Sequence, residues 1–323
     1  MSDMTRMRDS TSGAAGQTSN AAPISRIITT DDLLEVQLAT INRSLAARRK
    51  TRQRLVFSHS TALLILGAEL PARLLQAAQT ELHVASTTHR QAASILTMHQ
   101  WNHEYNEQTP YADITCCGPV QAWAQIASTA TLEELVLIGD SLMRRNRRFK
   151  LAALRDFESF IDGSGKFPGK RNCELAVRLM RENTDSSRET QLRLLIVSYG
   201  LPCPEVNLRL QTHSGKALYL DMSYSVPRIA IEYQGKQHDT DPQQIRADRN
   251  KRNFLTGNDW IAFEPDRQVF FDLREEEGFM QDLARILSLR LNEEIKPYPK
   301  MSLLQALDGR REHNRRNTKL LLY

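Results

Sequence analysis

Between Leu218 and His238 the chain carries two short alternating stretches joined by Ser225, Val226 and Pro227, and each stretch holds one acid. In the first, Leu218, Leu220 and Met222 share one face and Tyr219, Asp221 and Ser223 the other. In the second, Ile229, Ile231 and Tyr233 oppose Ala230, Glu232 and Gln234, the period-two pattern of β-strands. A fold-back centred on the Val226-Pro227 bond sets Asp221 directly across from Glu232, with Cβ atoms about 5 Å apart. Two carboxylates at that spacing repel unless a cation joins them. A solvated outer sheet face is the other explanation for acids within strands. Against it stands the company they keep: Gln234 follows Glu232 on the same face, and Gly235, Lys236 and His238 line the exit.

The rest of the chain is long enough to hold this hairpin. With 323 residues, 41% hydrophobic and 25% charged, it has the make-up of two ordinary globular domains and excludes a fibrous or wholly disordered protein. A net charge of +5 points modestly to an anionic partner. The clustering says more than the total: basic runs occur at Arg48, Arg49 and Lys50 with Arg52 and Arg54, at Arg144 to Lys150, and at Arg310, Arg311, Arg315 and Arg316. Each run taken alone also reads as a solvated helix face or a frayed tail. Four cysteines without CxxC spacing, no signal-peptide core and no long apolar run give the expectation of a cytoplasmic protein that does not enter a membrane.

In order, residues 1–29 lack large apolar groups and are expected to be a disordered leader. An amphipathic helix follows, with Leu34, Leu38, Ile41 and Leu45 at helical spacing. Strands and helices then alternate in an N-terminal α+β domain, residues 30–161. Pro119 opens one helix, and a capping box at Thr131 to Glu134 opens another expected to run to Arg148. His99 and His103 stand four apart, a spacing that suits a metal only on a helix, whereas the residues before them read as strand. Residues 162–172 contain Gly163, Gly165 and Gly169-Lys170. The phosphate-loop pattern fails there, since the window begins with Ser164 and Arg171 follows the lysine, so a flexible linker is expected. Beyond it, residues 173–297 read as helix, three strands, helix, strand, helix. A capping box at Ser186 to Glu189 opens a helix striped by Leu192, Ile196 and Tyr199, and Asp241-Pro242 opens the helix of Asp248 and Arg252. Residues 298–323 are expected to be a basic tail.

Glu189, Gly200-Leu201-Pro202, Asp221, Ile231 to Gly235, His238, Asp248, Arg252 and Trp260, in this order, resemble the DUF559 domain. That domain is a branch of the PD-(D/E)XK nuclease superfamily related to the very-short-patch mismatch-repair endonucleases. The likeness covers residues 186–265. Ser58 to Ala62, Pro119 and Gly139-Asp140 are weakly similar to N-terminal halves of AbiEi antitoxin type found in actinobacterial proteins with this domain.

The resemblance implies a restriction-endonuclease-like mixed sheet flanked by helices, with Asp221 and Glu232 as the metal-binding acids for Mg²⁺ or Mn²⁺ and Glu189 as an assisting acid on the preceding helix. It implies phosphodiester hydrolysis in DNA without a small-molecule cofactor. The superfamily pattern has a lysine where this chain has Gln234, so Gln234 would orient the attacking water by hydrogen bonds alone. His238 would act as general acid or base, and Lys236, Arg249 and Arg252 would face phosphates. The alternative is a nuclease-like fold that binds DNA without cutting it, the acids being remnants.

Overall fold

The structure, a computed structural model, describes residues 30–86, 95–101, 106–212, 215–235 and 242–308. Among them no helix is long and apolar enough to cross a membrane. The expected leader, most of the expected basic tail, Lys236, His238 and His103 lie outside the described residues.

The N-terminal half runs α1 (Thr30–Thr51), β1 (Val56–Phe57), α2 (His59–Ile65), α3 (Ala72–Thr80), β2 (Leu82–Ser86), β3 (Leu96–Gln100), β4 (Glu107–Tyr111), β5 (Ile114–Cys117), α4 (Pro119–Gln125) and α5 (Leu132–Leu142). The strands form a mixed sheet in the order β3-β2-β1-β5-β4, with β1 parallel to β5 and antiparallel to β2. Its core centres on Phe57, Leu63, Leu64 and Trp123, all essentially solvent-free. Trp123 meets Phe157 edge-on at 4.9 Å and donates its indole N–H to the Leu135 carbonyl at 2.8 Å, so a large ring is buried with its polar atom satisfied.

The capping box at Thr131 and Glu134 forms as expected. The helix it opens is shorter than expected: it ends at Leu142, whose carbonyl accepts the N–H groups of Leu151 and Ala152, so residues 144–150 leave it as a turn. Helix α3 and strands β4 and β5 escape the sequence pattern. β4 is exposed along its whole length and carries no alternation.

Two more helices, α6 (Leu154–Gly163) and α7 (Lys170–Leu179), also belong to this first core, through Phe157, Ile161, Phe167, Cys173, Ala176 and Met180. The stretch expected to be a flexible linker, 162–172, is therefore packed. Phe167 is buried in it, and Gly169 adopts φ +85° where a Cβ would stand 2.4 Å from the Ala127 carbonyl carbon. Gly169 thus serves close approach of backbones rather than looseness.

Helix α8 (Ser187–Ser198) is shared between the two halves. Leu192 and Ile196, with Tyr199 just beyond, enter the second core, while Leu194 enters the first and Arg193 reaches into it. Arg193 and Asp140 are 0% and 1% exposed and pair at 2.5 Å. The Asp140 carboxylate also accepts the Arg181 N–H at 2.8 Å and the Thr190 hydroxyl at 2.9 Å. A helix committed on two sides shows no clean single stripe beyond Leu192, Ile196 and Tyr199.

The second half continues with β6 (Glu205–Gln211), β7 (Ala217–Tyr224), β8 (Ile229–Ile231), α9 (Pro242–Gly257), β9 (Ile261–Phe263), a 3-10 turn at Arg267–Phe270, α10 (Leu273–Leu291) and α11 (Leu303–Ala306). The sheet order is β6-β7-β8-β9, with the first three strands antiparallel and β9 parallel to β8 across the α9 crossover. Both halves are thus α+β, with mixed sheets flanked by helices. Residues 298–301 do not hang free: the Tyr298 and Met301 N–H groups bond to the carbonyls of Tyr199 and Ser198, and Leu303 and Leu307 rest on the first core.

One strand departs from simple alternation. Met222 packs with α8 and α10, whereas Leu220 packs with Leu255 near the end of α9, although the sequence sets both on one face. The change falls at Asp221. Asn207, the residue between the Val206–Met222 and Leu208–Leu220 pairs, has φ +49°, a left-handed backbone that breaks the pleat at this point.

Candidate active site

The hairpin register places the two acids together. Met222 pairs with Ile231, Ser223 with Ala230 and Tyr224 with Ile229, and the next step of the same register sets Asp221 across from Glu232. The turn that fixes it spans Ser225 to Arg228, with Arg228 at φ +52° and its N–H on the Ser225 carbonyl. Beyond β8 the backbone stays bonded to the β9 side: Glu232 N–H reaches the Phe263 carbonyl at 2.8 Å and Gln234 N–H the Pro265 carbonyl at 2.9 Å.

The Asp221 carboxylate accepts the Tyr233 N–H at 3.2 Å. Glu232 is 9% exposed. One of its oxygens, Oε2, accepts from the Lys251 ammonium, while the other, Oε1, is buried with no hydrogen-bond partner. Burial and the neighbouring Asp221 charge push the Glu232 carboxyl up to about 8, against the pull of Lys251. Asp221 is raised as well, by burial first, with Lys251 opposing. The two acids together therefore lack enough positive charge, which Lys251 supplies only in part.

Glu189 extends the acidic centre. Its carboxylate accepts the Asp185 N–H at 3.0 Å and the Ser186 hydroxyl at 2.9 Å, while Ser186 Oγ caps the Glu189 N–H. The capping box is thus shifted by one residue, because Glu189 reaches the N–H before the cap rather than that of Ser186. Burial, then the Asp221 charge, raise the Glu189 carboxyl to about 7, so it can give or take a proton near neutrality.

Gln234 lies half-buried two residues past Glu232, its backbone bridged to Asp266. Arg249 is exposed on α9. Arg252 does not pair with Asp248 as its helical spacing suggests. Its guanidinium forks onto both Glu264 oxygens, at 2.7 and 2.9 Å, tying α9 to the chain after β9.

Lys251 was not among the candidates read from the sequence, and a signal for it was present. It lies one helical turn before Leu255, which is buried against the sheet, so it shares the face that α9 turns inward. A basic side chain thus reaches Glu232 from the following helix.

Among the described residues, no group of three or more His, Cys, Asp and Glu side chains is gathered to hold a metal ion. His99, on β3, bonds instead to His83 at 2.8 Å and stacks on His59 at 3.7 Å between ring centroids. The acid pair offers two carboxylates and a partnerless buried oxygen. That set fits a hard cation such as Mg²⁺, which is commonly held by one or two carboxylates and completes its shell with water and substrate phosphate.

A chain with this architecture and this acid–acid–lysine centre belongs to the class of α+β proteins with an ionisable site on the inner strands of a mixed sheet. Two uncharacterized proteins of Mycobacterium tuberculosis, one from strain CDC 1551 / Oshkosh and one from strain H37Rv, are each 27% identical to it over 94 residues, covering 29% of this chain and 34% of theirs. The matched segment thus spans about a third of the length of these relatives. No family model matches the chain, and no solved structure does.

Proposed function

We propose that this chain is a metal-dependent endonuclease hydrolysing phosphodiester bonds in DNA, with its centre in the C-terminal half and a PD-(D/E)XK-like core of the DUF559 kind. The observation that carries the reading is the convergence of Asp221, Glu232 and Lys251 from two strands and the following helix, with one Glu232 oxygen buried and unpartnered. The order helix, three antiparallel strands, crossover helix, parallel strand supports it, being the restriction-endonuclease-like arrangement that the resemblance implies.

Asp221 and Glu232 would hold Mg²⁺ or Mn²⁺, which supplies a more acidic bound water and takes up charge on the phosphoryl oxygens. The chain's own groups divide the remaining work. Tyr233 N–H fixes the Asp221 carboxylate. Lys251 balances Glu232 in the resting site and presents its ammonium to the phosphate oxygens as charge builds there, the task that a glutamine at 234 cannot perform. Glu189, poised near neutrality, exchanges protons at the edge of the centre.

The test is cleavage of labelled duplex and single-stranded DNA with Mg²⁺ or Mn²⁺. Asp221→Asn abolishes cutting, and Lys251→Met lowers the rate by about 10²-fold or more, the usual cost of losing one charge-stabilising donor. Full activity in Asp221→Asn overturns the mechanism.

A second reading has its own support: the Lys251–Glu232 ion pair already offers a built-in counter-charge, and no third acid ligand joins the pair among the described residues. The protein would then bind DNA through its basic surfaces without cutting it. Salt-dependent binding in EDTA with no cleavage under either metal over long incubation selects this alternative.

A further inference from the structure

The turn after α5 carries Arg144, Arg145, Arg147, Arg148 and Lys150 within seven residues. It is pinned rather than loose. The Leu151 N–H bonds to the Leu142 carbonyl at 2.8 Å, and the Asn183 N–H to the Met143 carbonyl at 2.9 Å. Three of its cations are matched by acids: Arg144 with Glu69 at 2.7 Å, Arg145 with Asp185 at 2.7 Å, and Lys150 with Glu182. Arg147 and Arg148 are exposed and have no acidic partner among the described residues. Beside them Phe149 is 50% exposed, with the Arg148 guanidinium 5.8 Å from its ring centre.

This turn belongs to the N-terminal half, yet it is bound to the C-terminal acid centre. The Arg145 guanidinium lies 4.2 Å over the ring of Tyr219, two residues before Asp221 on β7, a separation of about 7 Å along a strand. Its ion partner Asp185 donates its N–H to Glu189 and acts electrostatically on Asp221. Asn183, in the same segment, accepts from the side chain of Asn207, the residue at the break in the sheet beside Asp221. Two exposed guanidiniums without an acidic partner among the described residues, and an exposed ring, thus stand on a turn that is tied through Arg145 and Asp185 to an acidic site whose own charge would repel a polyanion.

We propose that Arg147 and Arg148, with Phe149, form a ledge that grips DNA backbone phosphates flanking the Asp221–Glu232 centre, so that the N-terminal half supplies the substrate clamp of the C-terminal site. The inference rests on the phosphodiester reading of that centre. Guanidiniums bind phosphate oxygens in a fork, and Phe149 offers a surface for a base or sugar at a nick or strand end. The acid centre gives the site its chemistry, and the ledge offsets its repulsion of the substrate.

The experiment measures binding of a labelled 30-bp duplex in EDTA across a salt series, for the full chain and for Arg147→Glu/Arg148→Glu. Each phosphate contact contributes about 0.9 to the slope of log affinity against log salt. The expected result is an affinity at least about 10-fold weaker at 0.1 M salt and a slope reduced by about 2, with an unchanged thermal transition, since both side chains are exposed. The reversal Arg49→Glu/Arg52→Glu, beside the end of α1, leaves the slope as it was. Unchanged binding by the ledge variant, equal loss in the α1 variant, or no duplex binding by the unaltered chain at low salt each overturns the ledge. Binding in EDTA is independent of cutting, so failure of the nuclease reading appears separately, as a ledge-dependent complex that Mn²⁺ never converts to product.

Discussion

Replacing Asp140 by alanine tests how the two halves are joined. Its carboxylate accepts from the Arg181 N–H, the Thr190 hydroxyl and the Arg193 guanidinium, at 2.8, 2.9 and 2.5 Å. Arg193 has no solvent exposure and also bonds to the Leu179 carbonyl at 2.6 Å. Truncation leaves a guanidinium buried without its counter-ion and a backbone N–H without its acceptor. Breaking a buried pair in this way costs about 3–5 kcal/mol, a large part of the roughly 5–15 kcal/mol that holds a typical protein folded. With a urea slope of about 2–3 kcal/mol/M, the unfolding midpoint falls by about 1–2.5 M. Urea denaturation followed by circular dichroism reads this directly. The double change Asp140→Leu with Arg193→Met removes both charges and recovers at least half of the loss, because well-packed apolar residues replace a buried pair at little net cost. A drop under about 1 kcal/mol for Asp140→Ala would refute the view that this pair locks α8 to the first core.

Three further outcomes follow from the same geometry. Glu189 and Glu232 have folded values near 7 and 8, above their ordinary range, so the stability they contribute is complete below about pH 4.5 and is lost as pH rises through 7 and 8. In EDTA the melting temperature therefore declines from pH 5 to 8.5, and it is partly restored by Mg²⁺. A decline of the same size in Glu189→Gln/Glu232→Gln would count against this assignment. Glycine substitutions separate packing from looseness in residues 162–172. Gly163→Ala, with open space around its Cβ in the last turn of α6, is neutral or stabilising by up to about 1 kcal/mol. Gly169→Ala, at φ +85° against the Ala127 backbone, destabilises by about 2 kcal/mol or more, and equal melting temperatures would restore the flexible linker. Arg252→Ala removes the fork onto exposed Glu264 and costs at most about 1 kcal/mol, with unchanged DNA affinity. A marked loss of affinity instead would return Arg252 to the phosphate contacts expected from the sequence.

The sequence by itself determined what local pattern and turn chemistry control. Alternation in residues 218–234 and the Val226-Pro227 turn fixed the strand pairing, and with it the placing of Asp221 opposite Glu232, because a one-residue slip would carry Ile229 and Ile231 out of the core. The cap at Thr131, the stripe of Leu192, Ile196 and Tyr199, and the order of elements after residue 186 were legible for the same reason. The tertiary structure decided what depends on contacts remote in sequence. Lys251 becomes a site residue only because the crossover packs the Leu255 face of α9 on the sheet, 19 residues after Glu232. The break at Asp221 depends on Asn207 in the neighbouring strand, and the glycines of 162–172 read as a linker until Ala127 is seen against Gly169. Asp140 and Arg193 are 53 residues apart, and nothing local in the sequence reveals that each removes the other from water.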